Sequence, residues 1–463
     1  MRARAVACAA LLATPLLAGE PGERMDRWLS DAKFRGDVLV AKGGTLLLRK
    51  GYGLADREAG VAWAPDTVFS IGSITKQFTA AAILKLEMQG KLGVEDSIAK
   101  FFPQAPADKR AITLHQLLTH TSGLESDFAG DYEPVGRDAY VARVLASKLR
   151  TPPGASFHYA NSGYSLLGAI VEIASGKPYE TFLSESLFAP AGMRETGYLF
   201  PKWDTRRIAV GYVDGKRWGR ITEKPWASDG PWWALRANGG IHSTLDDMLR
   251  WHVAPSRETV LSNAEKAKLY GRHARDAGGG FYGYGWAISD APGGGVLVEH
   301  NGGNRAYYAD FLRFLDEDLV VILATNDSTV RGGRIAHALA RLAHGEEVPA
   351  LAPAGEATPL GAEGRDSVIR TWLDAFNAPG FEAMHAFRSA HARPRPDMDD
   401  AARDRNLEAM RGDLGRLEVV GVVERSGETV TVRAKGARGP VATLRFEFLA
   451  DGRVDGVAVE LGD

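Results

Sequence analysis

The chain holds one cysteine in 463 residues, Cys8, and it falls inside an apolar stretch at the N-terminus. If that stretch is removed as a leader, the protein that remains has no disulfide, no thiol nucleophile and no cysteine-ligated metal site. An excess of charge is missing as well. Fifty-six Lys and Arg against 58 Asp and Glu leave a net charge of −2, and the basic residues are spread along the chain. That gives no basic field for nucleic acid and argues against any polyanion as partner. No apolar run reaches the roughly 20 residues that a membrane-spanning helix needs, so no transmembrane segment is expected. The G-x-S-x-G elbow is absent, which disfavours the α/β-hydrolase solution to serine chemistry. His115 and His120 lack zinc-ligand spacing and read as structural; no metal and no cofactor are expected.

A hydrophobic fraction of 45% and a charged fraction of 25% are those of an ordinary globular protein. The length suits two or three domains. Arg2 and Arg4, then an apolar run from Val6 to Ala18, then small residues before Glu20, read as a secretory signal over residues 1–19. The expected location is therefore periplasmic or secreted.

Ser73-Ile74-Thr75-Lys76 is the stretch richest in chemistry. Residues at i and i+3 share a helix face, so the Lys76 amine can reach the Ser73 hydroxyl. A serine hydroxyl becomes a useful nucleophile when a neighbouring base takes its proton. The spacing alone is common; Ser30-Asp31-Ala32-Lys33 has it too. Two further motifs follow in order: Tyr159-Ala160-Asn161, the one Y-x-N in the chain, and His300-Asn301-Gly302, the one H-x-G. Plainer readings exist for each residue. Ser73 could cap a helix, Lys76 could be a solvated lysine, Tyr159 and His300 could fill a core, and Asn161 could serve a turn. The ordered triple argues against them.

This ordered triple resembles the serine β-lactamase and penicillin-binding-protein superfamily, in its class C-like branch of β-lactamases, D-alanyl-D-alanine carboxypeptidases, esterases and amidases. Phe69 to Gly72, Leu117 to Leu124, Asn238 to Thr244 and Tyr282 to Trp286 also look like segments of that branch. The resemblance covers roughly residues 26–345. It implies Ser73 as nucleophile, with Lys76 and Tyr159 handling the proton; which of the two takes it from Ser73 stays open. It further implies backbone amides of Ser73 and Gly303 as oxyanion hole beside Gly302, and Asn161 as a hydrogen-bond partner of the substrate or of Lys76. His300 stands where many relatives have Lys. A His is largely neutral at pH 7. That leans toward esters, amides or small peptides without a strict carboxylate requirement, unless a nearby acid keeps His300 charged. Glu299 is adjacent, but strand alternation points it to the other face. Arg305 is a candidate to meet a substrate carboxylate.

Strand and hairpin patterns sit at both ends of this region. Asp37 to Arg49 turns at Gly43-Gly44, and Tyr308 to Thr325 turns at Asp316 to Asp318. Helical patterns lie between, at Gln77 to Gln89 and Gly163 to Ala174, with Ser243 and Thr244 as candidate N-caps. The expected fold is α+β: an antiparallel sheet flanked by helices plus an all-helical subdomain. Pro225 to Trp233 is an aromatic-rich loop that either lines a binding mouth or buries against helices. Residues 346–364 read as a Pro-rich linker. Residues 365–463 read as a smaller α+β module, helix first and strands after, whose element order resembles the nuclear-transport-factor-like fold. Its role and the oligomeric state are not legible. The expected activity is a secreted serine hydrolase acting on a small ester, amide or peptide. The alternatives are a D-alanyl-D-alanine carboxypeptidase, a β-lactamase, or a ligand-binding member that has lost catalysis.

Overall fold

A computed structural model describes residues 16–463, apart from 18, 259, 277–278, 331, 351–357, 395–399, 427, 438–440 and 462–463. Most of the expected signal, including Cys8, lies outside the described residues. The chain divides into two compact units, 1–350 and 351–463.

The first unit is built on an antiparallel sheet. Its order is Leu16–Leu17, Thr45–Tyr52, Gly36–Lys42, Leu319–Thr325, Tyr308–Phe314, Val296–Gly303, Ala287–Asp290, Phe281–Tyr282 and Ala274–Arg275. Strands from both ends of the unit therefore lie side by side, Val38 opposite Leu323. Local chemistry sets the two hairpins. Gly43 and Gly44 take φ of +57° and +75°, the left-handed pair that a tight two-residue turn requires. Asp318, at φ +49°, closes the other. Leu319–Thr325 is buried at every position, as a central strand covered on both faces must be.

The helix Gly332–Ala343 covers one face and packs beside the helix Gly19–Asp31. The helix Leu245–Val253 also packs on the sheet. Its N-cap is Thr244, which accepts a hydrogen bond from the Asp247 amide. Ser243 is not a cap, contrary to the sequence reading. It belongs to a short strand paired with Phe69–Ser70, and its hydroxyl bonds Thr196 instead.

The chain between the two strand groups supplies the helical region: Leu114–Leu118, Arg137–Ala146, Asn161–Ser175 and Tyr179–Leu183. The helix Thr75–Met88 packs against Asn161–Ser175. It is buried from Thr75 to Leu84 without a polar face, so it is an interior helix. It ends at Gly90, whose φ of +68° no other residue type adopts as cheaply.

The second unit has helices Gly364–Asn377, Glu382–His391 and Asp400–Leu414, followed by a four-stranded antiparallel sheet in sequential order. Trp372, Phe376, Phe387, Leu444 and Phe446 are among its core residues. Its first strand, Leu417–Ser426, follows a helix that ends at Leu414. Both ends of the 346–364 stretch are tied down. Trp28 Nε1 donates to Pro349 O at 2.9 Å, and Thr358 exchanges backbone hydrogen bonds with Val422.

Candidate active site

Ser73 lies in the turn Gly72–Ile74, which runs straight into the helix Thr75–Met88. Gly72 has φ +49°, and a Cβ there would stand 2.6 Å from Gly302 C and from Gly303 N. The serine turn and the end of the strand Val296–Gly303 therefore meet through bare backbone. The amides of Ser73 and Gly303 both border that contact.

Lys76 is fully buried one helical turn on. Its Nζ lies 3.0 Å from Ser73 Oγ, 2.8 Å from Asn161 Oδ1 and 2.9 Å from Asn238 O. Burying an amine this deeply is costly unless it is fully hydrogen-bonded. Asn161 Oδ1 and Asn238 O can only accept, so they take two N–H groups. The valence facing Ser73 is either a third N–H or the lone pair, and the geometry suits both protonation states. Asn161 also donates from Nδ2 to Asp127 Oδ1 at 3.0 Å. A lysine on one side and a carboxylate on the other settle which end of that amide is which.

The Tyr159 ring sits with its centroid 4.7 Å from Lys76 Nζ. It lies tilted against the His120 ring, with 4.2 Å between centroids and 34° between the planes. His120 Nδ1 accepts from the Ala160 amide at 3.0 Å, so the imidazole holds the Tyr159–Asn161 segment by ring and by backbone. Burial, followed by the charge of Lys76, keeps His120 neutral. The structural role read for His120 from sequence is specific: it props Tyr159 directly. His120 also has φ +57°, a strained position for a non-glycine residue.

His300 is buried near Tyr159, with ring centroids 6.2 Å apart. Its Nδ1 lies 2.5 Å from Asn301 O, a carbonyl that can only accept, so Nδ1 carries the hydrogen. Nε2 then accepts from Tyr282 OH at 2.9 Å. Burial, and then the charge of Lys76, lower the imidazole pKa to about 3. Glu299 does not recharge it. That carboxylate points to the opposite face and pairs with His337 at 3.0 Å.

The structure thus gathers Ser73, Lys76, Tyr159, Asn161, His300, Gly302 and Gly303 at one place. Sequence reasoning did not assign Asn238, Tyr282 or Asp127 to it. Asn238 and Tyr282 lie in segments that look like the family's, but Asn238 acts through its backbone oxygen, which no residue type signals. His115 bonds Tyr284 OH at 2.8 Å. Among the described residues, no group of three or more His, Cys, Asp or Glu could hold a metal ion. Of the aromatic loop, Trp233 joins the core, while Trp226 is half-buried with its ring against Tyr198 and His242. Arg305 is exposed in the turn beyond Gly303.

An antiparallel sheet with flanking helices, an inserted helical region and a buried Ser-x-x-Lys turn define a class, the serine β-lactamase and penicillin-binding-protein fold. The chain belongs to the Beta-lactamase family, whose model matches residues 23–345. It is similar to Penicillin-binding protein 4* of Bacillus subtilis (strain 168), at 30% identity over 64% of this chain and 68% of that protein. It is similar to Esterase EstB of Burkholderia gladioli, at 30% identity over 60% of this chain and 81% of that protein. The solved penicillin binding protein from Bacillus halodurans superimposes with a TM-score of 0.60 at 27% identity, covering 69% of this chain and 98% of that one. The octameric penicillin-binding protein homologue from Pyrococcus abyssi, at 23% identity and a TM-score of 0.62, shares the fold over 96% of this chain.

Proposed function

We propose that this chain is a secreted serine hydrolase that cleaves a small ester or amide through an acyl-enzyme on Ser73. One observation carries the reading: a fully buried lysine amine 3.0 Å from the serine hydroxyl, with acceptor-only groups on two of its other sides. Ser73 Oγ attacks the carbonyl carbon, and its proton passes to Tyr159 or Lys76. The oxyanion forms between the Ser73 and Gly303 amides. Collapse breaks the bond to the alcohol or amine, which leaves with the proton. Water, activated by the same base, then hydrolyses the ester on Ser73. Asn161 holds Lys76 in line.

A neutral His300 favours esters and amides over substrates that need a permanent cation for their carboxylate. Such a cation would suit a D-alanyl peptide or a β-lactam. The second unit is an accessory module in this reading.

The test is a matched panel of a p-nitrophenyl ester, a chromogenic cephalosporin and a D-alanyl-D-alanine peptide, run with wild type and Ser73→Ala. Ser73-dependent turnover of the ester above the other two is expected. Turnover that survives Ser73→Ala would sink the proposal. Export with cleavage near Ala18-Gly19, read by N-terminal sequencing, tests the secretion part.

A further inference from the structure

The loop between Gly123 and Val135 is pinned to the start of the helix Asn161–Ser175. Ser162 donates its amide to Ser126 O at 2.7 Å and its hydroxyl to Glu125 O at 2.5 Å. Phe128, Ala129 and Tyr132 of the same loop pack on the core. These anchors fix Asp127 next to Asn161, one side chain away from Lys76. Asp127 is nevertheless exposed. Its loop neighbours Glu125 and Glu133 are matched by arginines, Arg150 at 3.7 Å and Arg143 at 2.6 Å. Asp127 is met by an uncharged amide, which leaves its formal charge uncompensated by that partner.

The other groups near Asn161 do not offset this charge at the surface. Lys76 is enclosed by Ser73, Asn161 and Asn238, and His300 is buried and bonded to Tyr282. A substrate group held beside Asn161 therefore lies near an anion.

We infer that Asp127 selects substrate by charge: the site takes esters or amides with a protonated amine, or no charge, beside the scissile carbonyl and turns away those with a carboxylate there. The inference rests on the proposed hydrolase and adds its substrate class. The effect is electrostatic and acts near solvent. An exposed charge pair is worth at most about 1 kcal/mol, or about fivefold in kcat/KM for each sign of charge.

The test compares three p-nitrophenyl esters of one acyl length, ending in an ammonium, a methyl or a carboxylate. A second series carries the same groups on the leaving alcohol. Asp127→Asn keeps an oxygen for Asn161 Nδ2 and removes the charge. Expected, relative to the neutral ester of the same series, is a fall of about fivefold in kcat/KM for the cationic ester of at least one series and a similar rise for its anionic partner, carried by KM. Equal changes on all three esters in both series would overturn the inference and leave Asp127 as a support for Asn161. If no ester is turned over in a Ser73-dependent way, the proposed function fails separately. Charge selection is then read by calorimetry of the matching carboxamides on Ser73→Ala. Tighter binding of the cationic amide, lost in Asp127→Asn, sustains it; equal binding of all three overturns it.

Discussion

Gly302 lies against the amide of Ser73: a Cβ on Gly302 would stand 2.5 Å from Ser73 N and 2.0 Å from Ile71 O. Both obstacles are backbone, so neither can rotate away. Gly302→Ala must push the strand Val296–Gly303 off the serine turn and separate the two amides proposed to hold the oxyanion. The expected result is a loss of at least about 100-fold in kcat and about 1 to 3 kcal/mol in stability. Steady-state kinetics and thermal melts check both. Near-normal kcat would show that the two amides do not act together.

His120 supports Tyr159 from below. His120→Ala removes the acceptor of the Ala160 amide and the ring against which Tyr159 packs. A buried donor left unpaired costs about 1 to 3 kcal/mol. Because Tyr159 would be free to tilt away from Lys76, kcat should fall more than tenfold with KM little changed. His120→Asn, which restores an acceptor but not the ring, should recover stability before it recovers rate. Equal recovery of both would make His120 a packing residue alone.

These two relationships mark where the sequence stops being informative. The hairpins were legible because their turns are local: Gly43-Gly44 has the positive φ that only such residues take cheaply. The Ser73–Lys76 contact was legible because helix geometry alone brings i and i+3 together. The same spacing at Ser30–Lys33 marks a helix end, since Lys33 donates its amide to Ser30 O and has φ +51°. The Asn238 oxygen, the His120 prop and the Asp127 partner depend on packing between segments far apart in the chain. A motif search weighs residue types, and Asn238 contributes a carbonyl that every residue owns. Ser243 failed as a cap because strand pairing with Phe69, a tertiary event, outweighed its local preference.

His300 is expected to leave no trace in the pH profile between about 5 and 8, since its pKa is lowered to about 3. The sign for stability follows from that direction. The folded pKa is below the unfolded value of about 6.5. Its contribution is therefore complete above that pH and is lost as the pH falls toward 3, at up to about 1.4 kcal/mol per unit. His300→Gln should keep the shape of the kcat/KM profile and flatten this acid loss. A limb near pH 6.5 in wild type that disappears in His300→Gln would mean that His300 titrates in the working range.

Asp310 titrates in the opposite sense. It lies on the strand next to the one that carries His300, paired with Asn301 and buried. It accepts from Tyr308 OH at 3.2 Å and from the Phe311 amide at 3.0 Å. Burial, followed by the charge of Glu299, raises its carboxyl to about 7, although His337 on the covering helix pulls the other way. A carboxyl whose folded pKa exceeds the unfolded one carries no penalty at low pH and destabilises as the pH rises through the interval between them. Asp310→Asn has the same shape without the charge. It should match wild type near pH 4 and exceed it at pH 8 by about 2 to 4 kcal/mol. Melts at both pH values decide it: a constant difference, or a larger one at pH 4, would show that Asp310 is ionised throughout. Because Asp310 faces away from Ser73, on the side of the sheet that Glu299 shares with His337, the variant should gain this stability with its kcat unchanged. If kcat falls as well, the charge behind the strand also sets the position of Gly302 and Gly303 in front of it.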